Sequence, residues 1–149
     1  MEYYKNFDEL TKKELYEIIK LRIDIFVVEQ NCPYPELDRK DYKAIHHFIK
    51  EKDEIIAYLR ILPKGVSYDE VSIGRVIVNK NYRGNGYAKK ILKNAINFVE
   101  QKWGETSIRL SGQKYLEKFY NSFGFDTVSD VYLEDNIPHV EMLYNKRGR

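Results

Sequence analysis

The chain has 149 residues, 43% of them hydrophobic and 14% aromatic, a content that excludes a disordered tail and a length that suits one domain with one core. Lysine and arginine number 25 against 23 aspartates and glutamates, a net charge of +2, too near balance for a general nucleic-acid binder. Cys32 is the only cysteine, so no intrachain disulfide can form, and there is neither an apolar leader segment nor a run approaching ~18 apolar residues; the expectation is a soluble cytoplasmic protein without membrane association.

Residues 3–7 read as a short first strand, and Thr11-Lys12-Lys13-Glu14 has the Thr-x-x-Glu form of a capping box opening a helix. Leu15, Ile18, Ile19, Ile25 and Phe26 keep helical spacing and mark its buried stripe. Arg22 falls on the same stripe, where a charge either snorkels past the core or faces a polar cavity. Pro33 and Pro35 then start an irregular loop reaching about residue 42. Residues 44–50 and 55–62 are β-rich, and the polar stretch Glu51-Lys52-Asp53-Glu54 between them suits an antiparallel hairpin. His46 and His47, adjacent in a strand, point to opposite faces and cannot share a metal ion. With no Cys or His cluster elsewhere, no metal is expected. One of the two histidines is expected to face the core or the site.

Residues 70–78 resume the sheet and carry Arg75, which needs an acidic or anionic partner if buried. After a glycine-containing loop, Ala88, Ile91, Leu92, Ala95, Ile96 and Val99 form the stripe of a second helix, ended by Gly104. A short strand at 106–110 precedes Leu116, Phe119, Tyr120 and Phe123, helically spaced within 113–123, with Gly124 as C-cap. Two last strands are expected around 125–132 and 140–145. The order, strand, helix, three strands, helix, strand, helix, two strands, fits one mixed α/β sheet with helices on its faces.

The loop Arg83-Gly84-Asn85-Gly86-Tyr87-Ala88 lies where that second helix begins. Two glycines one residue apart let the backbone curl its N–H groups around an anion beside the positive helix end. A dinucleotide fingerprint would need a small residue at position 89, which is Lys, and a P-loop would end in Gly-Lys-Ser/Thr, which is absent. Lys80, Arg83, Lys89, Lys90 and Lys93 crowd the same place, and with Tyr82 and Tyr87 they leave a nucleic-acid surface as a minor alternative.

The Arg-Gly-x-Gly-x-Ala pattern resembles the R/Q-x-x-G-x-G/A motif of the GNAT superfamily, the GCN5-related N-acetyltransferases. A second anchor, Phe119-Tyr120-Asn121-Ser122-Phe123-Gly124-Phe125, is similar to the F-Y-x-x-x-G-F segment of that family and follows in the family's order. Closer likeness is to the ElaA-like branch, carried by Leu21-Arg22, Phe26-Val27-Val28-Glu29-Gln30, Pro33-Tyr34, Ala57-Tyr58, Arg60, Gly74-Arg75-Val76 and Ile137-Pro138-His139. Asn81 departs from the Gln or Arg usual at the first motif position.

The resemblance implies a single domain over 1–149, with a mixed, mostly antiparallel sheet of six to seven strands and helices on both faces. It implies acetyl-CoA as acyl donor, transferred directly to a primary amine of a small molecule or peptide. Backbone N–H groups of Arg83, Gly84, Asn85, Gly86, Tyr87 and Ala88 would hold the pyrophosphate, and main-chain groups of Val76, Ile77 and Val78 the pantetheine arm. Tyr120 would be the acid for the departing thiolate. A protonated amine needs a base, for which Glu29 and His47 are candidates and His139 a third. Arg22, Arg75 and His139 would contact the acceptor, with Glu29 at its amine; Arg22, Arg60 and Arg75 hint at an acidic group on it, ion pairs being the alternative. A non-catalytic acyl-CoA sensor is the other functional reading, and monomer or homodimer stays open.

Overall fold

The computed structural model describes residues 1–146; the last three residues of the expected 1–149 span lie outside it. Its elements in chain order are β1 (Glu2–Asn6), α1 (Lys12–Arg22), β2 (Ile45–Glu51), β3 (Glu54–Leu62), β4 (Val71–Val78), α2 (Tyr87–Lys102), β5 (Ser107–Gln113), α3 (Glu117–Asn121), β6 (Phe125–Thr127), β7 (Tyr132–Glu134) and β8 (Ile137–Asn145). They form an open sheet in the order β1-β2-β3-β4-β5-β8-β6, with β7 also on β8. Among the described residues only β4 and β5 run parallel.

The local signals act as expected at most element ends. Glu14 N donates to Thr11 Oγ1 and Thr11 N to Glu14 Oε1, both at 3.0 Å, closing the capping box. Ile91, Leu92, Ala95, Ile96 and Val99 are buried against one face of the sheet. Ile18 and Ile25 cover the other face, with Phe48, Ile55, Tyr58 and Ile77. Helices therefore shield both faces, and the apolar area removed from water on each side is the main stabilising term.

Three departures shape the site. Residues 23–29, expected to continue α1, widen into a helical turn with i→i+5 bonding, seen in Gln30 N to Ile25 O (3.1 Å) and Cys32 N to Val27 O (3.0 Å). Such turns shift the facing of every later side chain. The sheet has eight strands among the described residues, not six or seven, because Asp135 (φ 51°) and Asn136 (φ 64°) make a tight two-residue turn between β7 and β8. Asp and Asn tolerate the left-handed region better than other residues with a Cβ. Finally, β4 carries a bulge: Gly74 pairs with Arg60 and Ile77 with Tyr58, so Arg75 and Val76 oppose Leu59 alone, and Arg75 sits at φ 55°.

A bulge bends its strand and increases the twist. The parallel β4–β5 pairing accordingly covers only Val71 with Ile108 and Ser72 with Arg109. Beyond Ser72 the two strands part, and among the described residues no strand pairs with that edge of β4.

Candidate active site

The gap between the splayed strands is a cleft of about 350 Å³. Ile73 to Val76 line it from β4, and Leu110, Ser111 and Gln113 from β5. Leu116 and Tyr120 close one side, and Phe26, Cys32, Tyr34 and Asp38 come from the turn and loop after α1. Glu134, Asp135, Ile137 and His139 line it from the β7–β8 hairpin.

The glycine loop lies at the C-terminal end of β4, the end at which the strands diverge. Gly84 (φ 82°) and Gly86 (φ 80°) are left-handed, and no protein atom lies within 4 Å of where a Cβ would sit on either. Gly86 caps α2 without any side-chain hydrogen bond to the first-turn amides. Open space over uncapped amides of a 16-residue helix suits an anionic group. Asn85 shapes the loop through Nδ2 bonds to the carbonyls of Tyr82 (3.0 Å) and Arg83 (3.3 Å). The Arg83 side chain instead donates to Val78 O (3.2 Å) and to Glu29 Oε2 (3.0 Å). Of Val76, Ile77 and Val78, only Val76 lines the cleft; the Ile77 side chain is buried under α1.

Tyr120 is 6% exposed and lines the cleft. Its ring is held edge-on by Phe119 and Phe125, while its hydroxyl has no hydrogen-bond partner among the described residues. Burial raises the phenol's pKa, so it stays protonated across the neutral range. The ring fits because position 112 is glycine: a Cβ there would stand 3.2 Å from Tyr120 Cδ2 and Cε2 and 3.1 Å from Leu110 Cδ1. Gly112→Ala should therefore push the Tyr120 ring off its position by a few tenths of an ångström. We expect turnover at this cleft to fall about threefold to tenfold with KM within about twofold; unchanged turnover would show that the ring has slack.

His139, 7% exposed, stacks on Tyr132. Its Nδ1 lies 2.7 Å from the Ile137 carbonyl. A carbonyl only accepts, so Nδ1 carries the proton and Nε2 presents a lone pair in the neutral ring. Nε2 has no hydrogen bond among the described residues, and Glu134 Oε2 stands 3.6 Å away.

Of the other expected site residues Arg75 lines the cleft, while His47, Glu29 and Arg22 do not. His47 is buried on the α2 face, stacked on Tyr4, with Nε2 2.6 Å from Glu2 Oε2, and burial lowers its pKa. It does not line the cleft. His46 turns the other way, to Tyr58 Oη (2.7 Å) and the Asp41 carbonyl (3.0 Å). Glu29 follows the widened turn to Arg83 and to the lip of a separate, larger groove of about 1190 Å³ between α1 and the β2–β3 turn.

Arg22 is 1% exposed and faces neither solvent nor the cleft. Its Nε donates to Glu36 at 2.6 Å and its Nη1 to Asp41 at 2.8 Å. Arg60 pairs with Asp38 (2.6 Å) and Asp41 (3.1 Å), and Arg75 with Glu36 (2.8 Å). Burial works against the charge on Asp38, but the hydrogen bond and charge of Arg60 hold its carboxyl well below the usual range. This network fixes loop residues 36–41 across the sheet; removing one partner would strand a buried charge.

Sequence reasoning passed over Asp38, Ser111, Glu134 and Asp135 as cleft residues. The signal for Asp38 was present: Glu36, Asp38 and Asp41 supply three carboxylates for three arginines at apolar positions. Nothing local marked the other three.

A splayed parallel strand pair, with a glycine loop at its open end and paired titratable groups in the gap, is the arrangement of an acyl-CoA-dependent acyltransferase. The sequence profile of the acetyltransferase (GNAT) domain family matches residues 23–146. A UPF0039 protein of Schizosaccharomyces pombe is 43% identical over 141 residues, 93% of each chain. The crystal structure of an acyl-CoA N-acyltransferase from Pseudomonas aeruginosa matches with a TM-score of 0.92 at 38% identity, over 97% of this chain and 98% of that one. Escherichia coli ElaA matches with a TM-score of 0.90 at 37% identity, over 97% and 99%. The chain belongs to the GNAT family, as an N-acetyltransferase of its ElaA-like branch.

Proposed function

We propose that the chain moves an acetyl group from acetyl-CoA directly to a primary amine, with His139 as base and Tyr120 as acid. The observation that supports this above others is that two nearly buried groups, the Tyr120 hydroxyl and His139 Nε2, line one cleft and make no hydrogen bond among the described residues. Acetyl-CoA supplies the activated thioester. The loop 83–88 receives the pyrophosphate on its amides, and the unpaired edge of β4 at residues 76–78 offers main-chain bonds to the pantetheine arm. His139 Nε2 takes a proton from the acceptor ammonium, whose nitrogen then bonds the acetyl carbon as the carbon–sulfur bond breaks. Tyr120 gives a hydrogen bond, and then its proton, to the departing sulfur, and its oxygen takes back the proton that the new amide nitrogen sheds. Glu29 and His47 drop out as bases in this reading, because each is committed to a partner outside the cleft.

A thiol-release assay with acetyl-CoA over a panel of amines tests the reading. CoA release is expected, and His139→Gln should lower kcat about 10²-fold. Tight acetyl-CoA binding with no release on any amine would mark a sensor instead of a transferase.

A further inference from the structure

The geometry points to an acceptor amine that bears a second positive charge, a small diamine or polyamine, seated between His139 and the carboxylates of Glu134 and Asp135. The inference rests on the transfer reading above and names the class of its acceptor. Asp38, Arg75, Glu134 and Asp135 are the charged side chains lining the cleft. Asp38 and Arg75 belong to the buried network, in which Arg22, Arg60 and Arg75 are matched by Glu36, Asp38 and Asp41. Three guanidinium groups meet three carboxylates, so the network presents no net positive charge to an acidic acceptor.

Glu134 and Asp135 are different. Neither has a lysine or arginine within ion-pair distance among the described residues; the nearest basic group to Glu134 is His139 Nε2 at 3.6 Å. The Glu134 carboxylate and the Asp135 backbone are held in place. Ser111 Oγ donates to Glu134 Oε1 at 3.1 Å, which leaves Oε2 on the His139 side. Asp135 occupies the tight β7–β8 turn, and its carbonyl accepts the Cys32 thiol at 3.1 Å, tying the turn to the loop after α1. The independent observation is His139 itself, more than nine-tenths buried, lining the same cleft with Nε2 unbonded.

Two uncompensated carboxylates in a concave site focus a negative potential there. A primary amine arrives as an ammonium at neutral pH. Glu134 draws it to the atom that will deprotonate it, and a second ammonium a few bonds away meets Asp135. An amino acid or dicarboxylate brings its negative group against the same pair and is rejected.

The test compares kcat/KM, at low and high salt, for cadaverine, spermidine, n-pentylamine, glutamate and a lysine-rich tetrapeptide, with acetyl-CoA as donor. Cadaverine or spermidine should exceed n-pentylamine by about tenfold or more, with the advantage shrinking as salt rises; glutamate should be the poorest. A tetrapeptide used as well as spermidine would support the same recognition with a peptide as source. Glu134→Gln and Asp135→Asn keep shape, the Ser111 bond and left-handed tolerance, so the fold survives; acetyl-CoA affinity by calorimetry verifies it. In the double variant the ratio of diamine to monoamine should collapse toward one. If n-pentylamine or glutamate matches the diamines, or the ratio survives the double variant, the acceptor class is wrong while the transferase stands. If acetyl-CoA binds and no amine releases CoA, the transfer reading fails and this one with it.

Discussion

Gly86→Val is expected to raise the Kd for acetyl-CoA by about 10²-fold or more while leaving the protein folded. Gly86 stands at φ 80° as the N-cap of α2, a conformation that a β-branched residue adopts only under strain of a few kcal/mol. The strain would be relieved by rotating the backbone, which turns the first-turn amides away from the anion. A side chain would also project into space that no protein atom now occupies within 4 Å. Both effects act on the proposed pyrophosphate site, and the position is exposed, away from the core. Calorimetry with acetyl-CoA, beside a thermal melt of the variant, reads the outcome. Wild-type affinity in a folded Gly86→Val would remove the cradle.

Tyr120→Phe should leave acetyl-CoA affinity within about twofold and lower kcat by about 10²-fold. Phe keeps the ring that packs against Phe119, Phe125 and the Gly112 backbone, so the cleft holds its shape. What is lost is a hydroxyl with no structural partner among the described residues, which makes stability an insensitive readout and turnover a sensitive one. The two substitutions separate the halves of the mechanism: the glycine affects binding, the tyrosine affects chemistry. A Tyr120→Phe variant with wild-type kcat would mean that solvent protonates the leaving thiolate and that the tyrosine is core packing.

The proposed site was legible in the sequence in uneven measure. Gly84 and Gly86, and Phe119-Tyr120 with Gly124-Phe125, are local patterns, and they led to the family that the comparisons establish. The choice of base followed another rule. Glu29, His47 and His139 are equally plausible as letters in the chain. They separate only when the widened turn after α1 carries Glu29 to Arg83, β2 turns His47 to the α2 face, and the tight Asp135-Asn136 turn folds His139 back beside Gln113 at the end of β5. The arginines carry the same lesson. Arg22, Arg60 and Arg75 suggested an acidic acceptor until their carboxylates arrived from a loop that offers no periodicity to read.

By itself the sequence determined the element order as far as α3, the buried stripe of α2, the capping box at Thr11, the two-glycine loop at 83–88 and the family. Those are properties of periods of two and 3.6 residues and of short turns, set by covalent geometry within a few positions. Tertiary structure alone decided the cleft, which of the candidate bases line it, and the charge left over there. Each depends on which face a side chain takes after a bulge, a widened turn or a left-handed pair has re-aimed the backbone, and on partners tens of residues away whose pairing no local spacing encodes.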